Sequence, residues 1–169
     1  GIGLAVAEAF LREGAKVAIC GRDQQRLDDA AAQLGAMSDP ARVLAQSCDV
    51  RDEGEVAALR DAVAAAFGGC DALICNAGEA RQSDFYDTSD QDWRDEFELK
   101  FFSVLRPVRA FLPMLEASGQ GAIVCSGALI ARRPEPFLIA TGATRAGQLN
   151  LAKSLSVELA AKNVRVNSI

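Results

Sequence analysis

The 169-residue sequence has no histidine, one tyrosine (Tyr86), one tryptophan (Trp93) and only four lysines, at positions 16, 100, 153 and 162. Without histidine the commonest general base and metal ligand is missing, so any proton chemistry falls to lysine, tyrosine, cysteine, a carboxylate or a hydroxyl, and no metal centre is expected. The five cysteines, Cys20, Cys48, Cys70, Cys75 and Cys125, are odd in number, show no Cys-x-x-Cys spacing and mostly sit in apolar runs. They read as small buried hydrophobes in a reducing cytoplasm rather than as a disulfide framework. Long apolar stretches are also lacking: each is broken before the roughly 18 residues that a bilayer span needs, so no membrane association is expected. Positive charge is not concentrated either. The formal net charge is −5, with both signs interspersed, which gives no basic stripe for a phosphodiester backbone and excludes nucleic acid as an expected partner.

About half of the residues are hydrophobic, enough for one ordinary core, so a single domain over 1–169 is expected. Helix-period and strand-like segments alternate, separated by short Gly, Asp or Pro punctuation. Helices are expected over Leu4 to Glu13, Asp23 to Leu34 and Asp52 to Phe67, the last capped by Asp52 with Glu55 three residues on. A longer one runs from near Ser89 or Asp90 to Ala117, with Pro107 and Pro113 bending or dividing it. Another spans Ala140 to Ala161. Strands are expected over Lys16 to Cys20, Arg42 to Val50, Ala72 to Cys75, Ala122 to Cys125 and Val164 to Ile169. The alternation implies an α/β fold, a doubly wound parallel sheet in three α/β/α layers.

Three turns follow strand-like runs or open helices. Gly1-Ile2-Gly3 leads directly into the amphipathic Leu4 to Phe10, a geometry in which an anion can rest on N–H groups at a helix N-terminus. Asn76-Ala77-Gly78 follows a buried strand, and Asp49-Val50 closes another. Each by itself is also ordinary turn chemistry. At the end of Val17 to Cys20 the chain reads Gly21-Arg22-Asp23. An acidic residue near this slot would accept from a ribose 2′-hydroxyl, whereas a 2′-phosphate asks for a cation. Gly21 leaves the acid out and Arg22 offers a guanidinium fork suited to phosphate. Asp23 fits a helix cap better than a ribose ligand.

Joined in this order, and with Gly121-Ala-Ile-Val-Cys125, Leu151-Ala-Lys-Ser-Leu155 and Asn163-Val-Arg-Val-Asn167, these motifs resemble the short-chain dehydrogenase/reductase family over essentially the whole chain. The resemblance implies a Rossmann-like nicotinamide nucleotide-binding domain. Gly1, Ile2 and Gly3 match the tail of its Gly-x-x-x-Gly-x-Gly turn, Asp49 and Val50 its adenine contact, and Asn76, Ala77 and Gly78 its Asn-Ala-Gly motif. With Arg22, the expected cofactor is NADP(H) in preference to NAD(H). The glycine turn lacks a strand before it and the chain stops inside an apolar strand, so the sequence is expected to be a fragment, incomplete at both ends.

The resemblance also implies a chemical centre, and there the sequence departs from the family at four positions. The proton-donating Tyr and its Lys are replaced in Ala140-Thr141-Gly142-Ala143-Thr144-Arg145 by Thr141 and Arg145. Ala128 occupies the Ser position, with Ser126 the nearest strand-end hydroxyl, and Lys100 stands where the family has an Asn. A threonine hydroxyl is too weak an acid to replace a phenol, and an arginine holds its proton. Arg145 therefore preserves ribose binding, and Lys100 is the expected proton donor if it projects near Arg145, where repulsion and burial would favour its neutral form. The competing expectation for Lys100 is a solvated helix surface. Tyr86 and Phe85 are expected to pack under their loop, with a substrate-lining role as the alternative, and Arg81, Arg132 and Arg133 to attract an anion or simply be solvated.

Three functions remain open at this point. One is an NADP(H)-dependent oxidoreductase acting on a small-molecule carbonyl or secondary alcohol, a homodimer or homotetramer through its long helices as the family implies. The second is a catalytically silent nucleotide-binding sensor or subunit. The third is altered chemistry with a structural cofactor.

Overall fold

The computed structural model describes residues 1–169, which fall into two compact units, Gly1–Gly69 and Cys70–Ile169. In the first unit the apolar spacing of the opening segment makes helix α1, Ile2–Arg12, which buries Ala7 and Leu11 one turn apart. Gly14, at φ +90°, lets the chain leave the helix in a conformation side chains resist. Strand β1, Val17–Gly21, pairs in parallel with β2, Val43–Ser47, in the register Val17 to Val43. Between them α2, Gln24–Gly35, starts at Asp23, whose carboxylate accepts from the Arg26 N–H at 3.0 Å. Asp23 is thus a cap, as its position suggested. Leu4, Val17, Ile19 and Val43 close over Ala7, Leu11 and Leu34 to form the core.

Helix α3, Glu53–Phe67, begins at Asp52, which accepts from the Glu55 N–H at 2.9 Å. The expected reciprocal bond does not form. Glu55 turns instead to the Asp49 N–H at 2.6 Å and so braces the end of β2. Val56, Leu59 and Val63 are the buried face. Arg42 sends its guanidinium to the carbonyls of Leu11 and Ala15, satisfying the end of α1.

In the second unit β3, Ala72–Cys75, β4, Ala122–Cys125, and β5, Arg165–Ser168, form a parallel sheet in that order, Ala72 beside Ala122 and Ala122 beside Arg165. The expected parallel α/β pattern is present, with the strands hydrogen-bonded as two sheets, one in each unit. Helix α5, Ser103–Ala117, packs on β3 and β4, and α6, Ile139–Glu158, packs on β5. Gly121 must be glycine, because a Cβ there would lie 2.6 Å from the Leu115 carbonyl oxygen.

The long helix expected from Asp90 to Ala117 is divided, and not at its prolines. Helix α4, Asp90–Phe97, opens on a capping box of Ser89 and Asp92 and passes into a π-helical turn, Glu98–Phe102, before α5 begins. Pro107 and Pro113 both lie inside α5. Such π turns recur at functional sites. This one carries Lys100. No helix is long and apolar enough to cross a membrane.

Candidate active site

The second unit brings Lys100 and Thr141 together around a residue with no assigned role in the sequence reading, Glu96. Glu96 and Lys100 are one turn apart on the segment joining α4 to the π turn, and both are withdrawn from solvent, at 2% and 0% exposure. Lys100 Nζ donates to Glu96 Oε2 at 2.5 Å, and the Thr141 hydroxyl donates to the same oxygen at 2.8 Å. A second Thr141 contact, to the Arg81 carbonyl, is longer at 3.3 Å. One hydroxyl carries one hydrogen, so the carboxylate takes it. Lys100 is therefore no surface lysine, and the charge it faces is an anion, not the guanidinium that the sequence suggested.

Arg145 lies in a separate net. Its Nη1 donates to the Ser126 carbonyl at 2.8 Å and to Gln148 Oε1 at 2.7 Å, and the Ser126 hydroxyl donates to Asn76 Oδ1 at 3.0 Å. The strand-end serine thus ties the Asn-Ala-Gly turn to α6. Burial pushes the Arg145 guanidinium below its ordinary range, and the Glu96 charge acts the other way, so the field of Glu96 reaches this net. Ala128, at the start of a 3₁₀ turn, is exposed and brings no hydroxyl.

An open cleft of about 220 Å³ lies beneath the loop 81–88, lined by Arg81, Ser83, Asp87, Thr88, Asp92 and Glu96 among others. Arg81 is not a free cation: it pairs with Asp92 at 2.5 Å. Tyr86 and Phe85 do not pack under the loop. They stand 93% and 73% exposed as an edge-to-face pair, because the Asp84 carboxylate accepts from the Tyr86 and Asp87 N–H groups and turns the loop outward.

The nucleotide residues can be tested unit by unit for fit. In the second, a Cβ on Gly78 would meet Arg145 Nη2 at 2.9 Å, and that nitrogen and Nε make no hydrogen bond within the chain. Unspent donors beside bare backbone fit ribose hydroxyls. In the first, the opening N–H groups of α1, from Ile2 and Gly3 onward, have no intrahelical acceptor. Arg22 is exposed, with no hydrogen bond or ion pair, and near enough to Asp49 to lower its pKa. A free guanidinium fits a phosphate. Asp49 is occupied: Arg51 binds both its oxygens, at 3.0 and 2.5 Å, and holds the carboxyl down to about 2. Its side chain braces the turn before Val50. The cysteine expectation is partly corrected, since Cys48, Cys75 and Cys125 are buried while Cys20, at the strand end, is exposed.

The family model for short chain dehydrogenases matches residues 1–169. The chain belongs to the short-chain dehydrogenase/reductase family. Members of this oxidoreductase family bind a nicotinamide cofactor on a Rossmann-like α/β fold. Among solved structures, an NADPH-bound short chain oxidoreductase from Pseudomonas aeruginosa PAO1, described as containing an atypical catalytic center, superposes with a TM-score of 0.97 at 48% identity, covering 99% of this chain and 65% of that one. L-Sorbose reductase from Gluconobacter frateurii, complexed with NADPH and L-sorbose, gives 0.95 at 33% identity, covering 99% and 64%. D-Threitol dehydrogenase of Mycolicibacterium smegmatis is 34% identical over 169 residues, all of this chain and 64% of that protein. The chain spans about two thirds of the length of the curated relatives it matches, 63% of one and 64% of others.

Two residues of the site escaped the sequence reading. Gln148 has no signal beyond its place on α6. Glu96 had one: Glu-x-x-x-Lys puts opposite charges on one helix face.

Proposed function

We propose that the full-length protein is an NADP(H)-dependent oxidoreductase interconverting a carbonyl and a secondary alcohol, with Lys100 moving the proton. The observation that carries this reading is the fully buried Lys100 ammonium, held on Glu96 beside Thr141 at positions where the family keeps its proton-handling groups. A bound nicotinamide supplies or accepts the hydride. Arg22 takes the 2′-phosphate, which favours NADP(H), and the NADPH-bound relative at 48% identity supports that choice. Arg145 holds ribose hydroxyls through Nη2 and Nε, and Asn76 and Ser126 fix its backbone support. Thr141, its hydrogen committed to Glu96, orients the carboxylate and leaves the proton to Lys100. The assembly belonging to this reading is a homodimer or homotetramer through the long helices, checked by light scattering.

The test uses the full-length protein. NADPH binding is followed by fluorescence and NADPH loss against ketones, aldehydes and quinones, including a keto sugar. Binding with turnover is expected, and Lys100→Met should retain binding and lose turnover. Unchanged turnover in Lys100→Met removes the role given to Lys100, and no binding removes the whole reading. Ala128 favours a second reading, a silent nucleotide-binding sensor or subunit, because no hydroxyl stands at the family's serine position. Binding without NADPH loss would select it.

A further inference from the structure

Glu96 does more in this geometry than neutralise a lysine. Its Oε2 carries both hydrogen bonds of the cluster, while its Oε1 has none. No buried side-chain oxygen or nitrogen in the chain lacks a partner, so Oε1 is not sealed in. The open face nearest to hand is the cleft beneath the loop 81–88, which Glu96 itself lines. Lys100 is the opposite case: it is wholly enclosed, and of its three N–H donors one is engaged, by Glu96. Glu96 is its hydrogen-bonded link to the groups that line the cleft.

We propose that Glu96 is a positioning residue that also serves as a proton port, passing protons between the solvent of the 81–88 cleft at Oε1 and the Lys100 amine at Oε2. The inference rests on the reading of Lys100 as proton donor. In the reductive direction a Lys100 N–H bond breaks as the substrate oxygen takes the proton, leaving a neutral amine beside the Glu96 carboxylate. A solvent proton then binds Oε1. Rotation of the carboxyl about Cγ–Cδ presents that proton to the Nζ lone pair, the O–H bond breaks, the N–H bond forms, and ammonium and carboxylate are restored. One proton has moved from solvent to the substrate oxygen, and the oxidative direction runs the same steps backward. Thr141 holds the carboxyl in register between turnovers, and Asp84, Asp87, Asp92 and Arg81 are the charged groups that line the cleft beside it.

The direct test needs no turnover. Solvent exchange of the Lys100 ammonium protons is measured by nitrogen-15 NMR on the lysine-labelled full-length protein, in the wild type and in Glu96→Gln, which keeps the shape and an acceptor but cannot carry the proton. Exchange is expected to slow by about tenfold or more in Glu96→Gln, and kcat with NADPH to fall while KM stays near the wild-type value. A merely structural role predicts exchange that is unchanged or faster, with KM and kcat shifted together, and either result overturns the proposal. Should Glu96→Gln fail to fold, Thr88→Phe fills the cleft with the Glu96–Lys100 pair left intact. It is expected to slow the same exchange, and an unchanged rate overturns the proposal equally. Slowed exchange in a protein that turns over no carbonyl would leave the port standing and remove the oxidoreductase reading, so the two failures are told apart.

Discussion

The two units handle charge in opposite ways. In Gly1–Gly69 the ion pairs lie at the surface, as with Arg60 and Asp61 at 2.7 Å, and Arg22 stands with no partner in the chain. In Cys70–Ile169 the central pair is buried, with Lys100 enclosed and Glu96 almost so, and it is bound to a buried threonine. An exposed pair sits in high dielectric and contributes little, whereas breaking a buried one strands a charge where nothing solvates it. The first unit can present charge to a ligand because Arg22 is exposed and makes no hydrogen bond or close ion pair, with Asp49 near enough only to feel its field. The second holds its two central charges against each other.

The sharpest way to break this contrast is to remove one member of the buried pair. Glu96→Ala is expected to cost about 3–5 kcal/mol in urea denaturation, because the ammonium loses its only acceptor. The double variant Glu96→Leu with Lys100→Met should recover most of that loss, since no charge remains to be solvated. Arg60→Ala, its surface counterpart, should change stability by no more than about 1 kcal/mol. Equal costs for the two single variants would show that the buried cluster is not special.

A smaller effect is expected at Arg22. Charge-assisted bonds to a phosphate contribute about 1.5–3 kcal/mol, so Arg22→Ala should weaken NADPH binding roughly tenfold to a hundredfold and leave NADH binding unchanged, as read by calorimetry. A parallel loss for both cofactors would mean that Arg22 does not discriminate. Gly78→Ala should act more weakly still. The new methyl meets the end of a flexible arginine, so a stability change of under about 1 kcal/mol is expected, with weaker nucleotide binding as Arg145 moves aside.

A last check is a titration. Hydrogen bonding to Arg51 holds Asp49 down to about 2 from an ordinary 3.8. Because the folded value is the lower one, the bond contributes stability above the ordinary value and loses it as pH falls toward 2. Carboxyl NMR should show Asp49 ionised through this window, and Arg51→Ala should return it to the usual aspartate range, near pH 4.

Much of the architecture could be read from the chain. Strands Ala72–Cys75 and Ala122–Cys125 were read at their observed bounds, and Asp23, Asp52 and Ser89 marked helix starts, because caps and apolar periodicity are local. The break at Glu98–Phe102 was misplaced onto the prolines. A π turn has no local signature comparable to a missing N–H, and its place is set by what the two flanking helices must bury. Tyr86 and Phe85 were misread for a similar reason: aromatics are usually covered, but whether a loop folds inward depends on where Asp84 finds its donors.

At the site the division is finer. The absence of histidine could be read from composition, and the family resemblance put Thr141, Arg145 and Lys100 at the positions where the family has Tyr, Lys and Asn. The partner of Lys100 was decided only in three dimensions. Thr141 lies 45 residues from Glu96, and whether a lysine meets solvent, a guanidinium or a carboxylate depends on which faces of α4, α6 and the π turn pack together. The sequence determines the chemistry available to each side chain. Burial, which sets how strongly one charge feels another, belongs to the fold.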